Sequence, residues 1–143
     1  MFEGEPGLAG HSDGDVVCHA LADALLGAAG LGDLGEHFPD DHPEYSGIPG
    51  LDLLARTVSI LARGGLAPDR CDLTVLAERP HIGRRRDEIR RNLAAALRVR
   101  PDRVSVKATR PEGLGLMGDG AGCLCIAGVV TRSDSTASGV PPG

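Results

Sequence analysis

CDLTVLA, residues 71–77, and VSVKA, residues 104–108, stand on either side of RRRDEIRRNLAAALR, residues 84–98. The two outer segments alternate apolar and polar residues with a period of two, the signature of half-buried strands. The middle one places Ile89, Leu93, Ala96 and Leu97 at helical spacing, so a helix is expected from Arg84 to Arg98. A strand, a helix and a second strand in this order give neighbouring parallel strands joined by a right-handed crossover. Upstream, Val17, Leu21, Ala24, Leu25 and Ala28 predict a helix from about Asp15 to Ala29, with Ser12, Asp13 and Asp15 offering N-cap oxygens and Gly30 and Gly32 closing it. A loop rich in acids and prolines follows, EHFPDDHPEYSGIPG at 36–50. Leu51, Leu54, Val58 and Leu61 then mark a helix from Leu51 to Arg63 that Gly64 and Gly65 stop. Downstream, the glycine-rich bend EGLGLMGDGAG (112–122) leads to a last apolar strand, Cys123 to Val130. The tail from residue 131 to 143 lacks apolar periodicity and is expected to be disordered. The fold class is α/β: a small mixed sheet with helices packed on one face, in one domain over residues 1–130, with no internal repeat.

Composition narrows the function. With 41% hydrophobic and 24% charged residues, the chain suits one soluble globular domain; with no Trp, its core must come from Leu, Val, Ile and Ala. No apolar run approaches a membrane span, and MFEGEPGLAG has neither the basic flank nor the apolar centre of a signal peptide, so the expected location is cytoplasmic. A net charge of −5 argues against a nucleic-acid or anionic-membrane binder, which needs clustered positive charge. Arg84, Arg85 and Arg86 are the local exception, read as the solvated first turn of a helix or as an anion site. The four cysteines lack paired C-x-x-C spacing, so free thiols are expected; Cys123 and Cys125, two apart in a strand, face one way.

The first helix carries the richest chemistry. Asp15, His19 and Asp23 recur every four residues and line up along its polar face. An imidazole there is either a metal ligand or the partner of a neighbouring carboxylate. Asp15 is read as a cap or a functional group, and Asp23 as a solubilising charge or as the acceptor that orients His19.

Three blocks, GLAGHSDGDVVCHALADALLGAAGLGDLGEHFPD (7–40), ERPHIGRRRDEI (78–89) and VSVKATRPEGLGLMGDGAG (104–122), resemble in order and spacing the 2-C-methyl-D-erythritol 2,4-cyclodiphosphate synthases of the non-mevalonate isoprenoid pathway. The resemblance runs from about Gly7 to Val130. It implies a homotrimer with an active site at each subunit interface. It also implies a reaction in which the 2-phosphate of a cytidine-diphosphate ester attacks the β-phosphorus and CMP leaves. Such chemistry asks the protein chiefly to position two anionic phosphates and neutralise the charge between them.

By the same resemblance His19 is a zinc ligand and Glu112 holds a second ion, magnesium or manganese. His11 and Ser12 hold the 2-phosphate, with His11 also stabilising the transition state; Arg110, standing where the family has a threonine, is read from its own charge as a group that neutralises phosphate. Asp33, Leu34 and Gly35, with Phe38, Pro39, Asp40, Asp41 and His42, line the methylerythritol pocket. Ala77, Glu78, Arg79, Pro80, His81, Ile82 and Gly83, with Thr109, Arg110, Pro111 and Glu112, form the cytidine and diphosphate side contributed by a neighbouring subunit. Leu116 and Asp119 fall in the segment that lines the trimer's central cavity. The chain departs from the family at His81 for a lysine, at Arg110 and Pro111 for threonines, and at Asp119 for an arginine. Residues 1–10 hold no counterpart of the family's Asp-x-His zinc pair. These departures set a second expectation beside that of a synthase: a catalytically impaired relative that binds nucleotide or phosphate, or serves as an interaction subunit.

Overall fold

The computed structural model describes residues 11–39, 41–77, 85–109 and 121–131. Helix α1 spans His11–Ala28, α2 Leu34–His37, α3 Gly50–Arg63 and α4 Arg86–Leu97; the strands are β1 Leu66–Ala77, β2 Val104–Thr109 and β3 Ala121–Thr131. The sheet order is β2-β1-β3. β1 and β2 are parallel, with Leu73 opposite Val106, as the strand-helix-strand reading requires. β3 lies antiparallel on the other side of β1, with Leu73 opposite Cys125, which makes the sheet mixed.

Helices cover one face of the sheet. Leu73, Val75, Val104 and Val106 meet Val17, Leu21 and Leu25 of α1, Leu54, Val58 and Leu61 of α3, and Ile89, Leu93 and Leu97 of α4 in one buried cluster. A leucine, isoleucine or valine in such a cluster contributes roughly 1.5–3 kcal/mol. Thr57, the one buried polar side chain among the described residues, donates its hydroxyl to the Leu53 carbonyl at 2.9 Å. On the opposite face Leu124, Ile126 and Val130 of β3 stay exposed, while the Lys107 ammonium sits 2.6 and 2.8 Å from the two Asp72 carboxylate oxygens.

Several boundaries differ from the sequence reading. α1 starts at His11, four residues before Asp15. Asp15 therefore lies inside the helix, where its carboxylate holds the Gly50 N–H instead of capping α1. Its buried stripe is Val17, Leu21 and Leu25 flanked by Cys18, Ala22 and Leu26, and Ala28 is exposed. β1 begins at Leu66 because β3 pairs with it back to Leu66 opposite Thr131. The register shifts between Pro68 and Arg70, the kind of irregularity at which a central strand tolerates proline. The last strand reaches Thr131, and residues 132–143 lie outside those described. The end of α1 follows expectation. Leu31 donates to the Leu26 carbonyl and Gly30 to that of Gly27, with Gly30 at a φ of 72° that only glycine adopts freely.

Candidate active site

His19 is exposed on α1, and the carboxylates one turn before and after it do not serve it. Asp15 Oδ1 accepts the Gly50 N–H at 3.1 Å, tying the start of α3 to α1 across 35 residues. A side chain at Gly50 would fall 2.8 Å from that carboxylate and 2.9 Å from Cys18 Cβ, so the close approach needs glycine here. Asp23 Oδ1 accepts the Leu34 N–H at 3.0 Å and fixes the start of α2. The expected roles of Asp15 as an N-cap and of Asp23 as the acceptor orienting His19 are thereby corrected. Each carboxylate instead holds a wall of the space His19 looks into.

α2 is short and strongly capped. The Glu36 N–H donates to Asp33 Oδ1 at 3.1 Å, and the Asp33 N–H donates to Glu36 Oε1 at 3.0 Å. This box turns the chain toward Phe38, which is buried and meets the Tyr45 ring edge-on at 5.1 Å and 82°. Tyr45 ends a 3-10 turn, Pro43–Tyr45, and the hydrogen-bonded Glu44 carboxylate pushes its phenol pKa up.

Together these elements enclose a cleft of about 590 Å³ lined by His19, Leu34, Gly35, Phe38, Tyr45 and Ile48 among others. A shallower groove continues from it along His19, Asp23, Asp33 and Gly35. Of the expected pocket residues, His19, Asp33, Leu34, Gly35 and Phe38 are brought together. Pro39, Asp41 and His42 line neither space; His42 is exposed and faces Glu44 at 3.7 Å. Tyr45, Ser46 and Gly47 line the cleft and were missed. Their one signal was a lone tyrosine in a loop otherwise rich in acids and prolines.

His11 and Ser12 lie in the first turn of α1. Ala77 and Thr109 end β1 and β2, with Leu76 opposite Thr109, so the segments that follow both leave from the carboxyl edge of two adjacent parallel strands. That edge is where open α/β sheets hold ligands. Asp40, Glu78 to Gly83, Arg110, Pro111, Glu112, Leu116 and Asp119 lie outside the described residues.

No three His, Cys, Asp or Glu side chains among the described residues gather as a metal site. Burial pushes the Cys18 and Cys71 thiols up to about 12 and Cys123 up to about 11, so these sulfurs stay protonated and are poor nucleophiles.

The YgbB family model matches residues 1–132. The 2-C-methyl-D-erythritol 2,4-cyclodiphosphate synthase of Symbiobacterium thermophilum is 53% identical over 121 residues, which are 85% of this chain and 77% of that protein. The synthase of the same name from Pelotomaculum thermopropionicum is 50% identical over 121 residues, 85% of this chain and 75% of that one. A solved structure of 2C-methyl-D-erythritol-2,4-cyclodiphosphate synthase in a CDP-bound form is similar with a TM-score of 0.76. It is 30% identical, covering 85% of this chain and 79% of its own.

Proposed function

The chain belongs to the YgbB family, and on that premise we propose that it is an enzyme of isoprenoid biosynthesis, a lyase that cyclises the cytidine-diphosphate ester of methylerythritol 2-phosphate. An oxygen of the 2-phosphate bonds to the β-phosphorus, the bond from that phosphorus to the CMP oxygen breaks, and CMP leaves. The carrying observation is the 53% identity over 121 residues to a protein named for forming the cyclic diphosphate. The same identity favours turnover over the reading as an impaired binding subunit.

In this reading the cleft receives the methylerythritol portion, with Leu34, Gly35 and Phe38 as its wall and His11 and Ser12 holding the 2-phosphate at the start of α1. A helix N-terminus suits a phosphate because its first N–H groups have no partners within the helix. Ala77 to Gly83 and Thr109 to Glu112 take the cytidine and diphosphate side, with Arg110 neutralising phosphate charge. Zinc at His19 and magnesium or manganese at Glu112 belong to the same reading. The described residues do not by themselves fit a zinc ion: they offer it one free imidazole, both neighbouring carboxylates being engaged with backbone N–H groups.

A homotrimer and a cytoplasmic location complete the proposal. The exposed apolar row on β3 supports an assembly that covers it, and no helix among the described residues is long and apolar enough to cross a membrane.

The test is phosphorus NMR of the purified chain with its substrate and magnesium. The expected outcome is one CMP released for each cyclic diphosphate formed, and loss of one positioning group, in His19→Ala, should slow this on the order of 100-fold. Unchanged substrate at stoichiometric enzyme would overturn the reading.

A further inference from the structure

A second groove, of about 550 Å³, lies between α3 and the segment running from the end of α1 to Tyr45. It shares Phe38 and Tyr45 with the His19 cleft and no other residue. Its character is different. Arg56, Ser59 and Arg63 project into it from one face of α3, being three and four residues apart. No Asp or Glu lines it, although acids outnumber Lys and Arg by 20 to 15 in the chain.

Neither guanidinium is neutralised by a described carboxylate. Arg56 stands 6.0 Å from the Tyr45 ring centroid, a contact that orients the guanidinium and leaves its N–H donors open. His37 closes one end. Its Nε2 is 2.8 Å from the Leu31 carbonyl, which can only accept, so Nε2 carries the hydrogen and the ring is held in place. Leu31 and Ile60 add an apolar strip beside the two cations.

We propose that this groove is a binding site for a phosphorylated small molecule, with the phosphate groups held by Arg56, Arg63 and the Ser59 hydroxyl and the organic part lying on Ile60 and Leu31. Guanidinium groups are matched to phosphate because they present paired N–H donors in a fixed plane. The two arginines are two helical turns apart, about 10 Å along the axis, which suits an extended polyanion better than a compact ion. The site is linked to the cleft through Tyr45. An anion that draws Arg56 off the ring frees one of the two aromatic groups that wall both spaces, so occupancy on one side changes affinity on the other, reciprocally.

The experiment is amide NMR of the full chain, titrated with inorganic diphosphate in the presence of a metal chelator. The expected result is saturable shifts at Ser59, Ile60 and Gly64. In Arg63→Glu their apparent Kd should rise about tenfold or more, because a charge-assisted contact is lost, whereas Arg63→Lys, which keeps the charge and loses the paired N–H donors, should weaken binding by less than Arg63→Glu. Arg56→Gln, which adds no carboxylate to the helix end, should weaken binding in the same way if Arg63→Glu disturbs the fold. Shifts confined to residues around His11 and Asp33, or an affinity indifferent to both arginines, would overturn the proposal. Neither outcome depends on turnover.

Discussion

Asp15 and Asp23 carry the same carboxylate one turn to either side of His19, and only their surroundings separate them. Asp15 holds a part-buried backbone N–H that is left without a partner when the carboxylate goes. Asp23 holds an exposed one that water can satisfy. An unsatisfied buried donor costs about 1–3 kcal/mol, whereas a solvated hydrogen bond contributes roughly 0.5–1.5 kcal/mol. Asp15→Ala should therefore lower the urea-unfolding free energy by about 1–3 kcal/mol, and Asp23→Ala by less. Equal costs, or a larger one at Asp23, would contradict the roles assigned to them. His19, exposed and bonded to neither, separates stability from function: its replacement should move turnover and leave unfolding nearly unchanged.

At the scale of elements, the helix ends show where local sequence and tertiary structure disagree. α4 closes as α1 does: Val99 donates to the Ala94 carbonyl at 3.0 Å and Arg98 to that of Ala95 at 3.2 Å. The left-handed position, however, is held by Arg98 at a φ of 61°, where α1 uses Gly30. A residue with a Cβ costs roughly 1–2 kcal/mol there, and glycine returns part of that gain through the entropy of its unfolded chain, about 0.4–1 kcal/mol. Arg98→Gly should stabilise the protein by about 0.5–1 kcal/mol in urea titration; a destabilised variant would mean that the arginine side chain has a partner worth more than the strain. Period alone carried the reading of α3, α4 and β2 to within two residues of their ends. It failed at Leu66 to Arg70, because those residues become strand only by pairing with β3 more than fifty positions away. The cleft divides the same way. His19 and Asp33 to Gly35 were legible from helix spacing and a motif, while Tyr45, Ser46 and Gly47 reach it by a fold-back of an aperiodic loop. The engagement of Asp15 with Gly50 is a long-range contact that no local pattern announces.

Among the described residues the sheet is covered by helices on one side. Parallel strands are ordinarily buried on both faces, and here the open face is divided. Over β1 and β2 it carries the Asp72–Lys107 pair. Over β3 it carries Leu124, Ile126 and Val130, exposed to 65%, 69% and 44%. An exposed row of large apolar side chains on one strand suits an interaction surface, and the proposed homotrimer would repeat it three times around one axis. Each large apolar side chain fully buried there contributes roughly 1.5–3 kcal/mol, so a few per protomer outweigh the polar half of the face, whose ion pair is largely exposed and adds about 0–1 kcal/mol. Ile126 is the place to test this, since it is the most exposed of the three and lies opposite Asp72 rather than against a helix. Ile126→Lys removes the apolar surface and, in a trimer, places three ammonium groups where desolvation and mutual repulsion both oppose association. Its fold should persist, because that side chain is outside the buried cluster. Sedimentation velocity at micromolar concentration should then find trimers for the unmodified chain and mainly monomers for the variant, with closely matching circular dichroism. Trimers of undiminished strength in Ile126→Lys would move the interface away from β3, and a monomeric unmodified chain would remove the assembly from the proposed function.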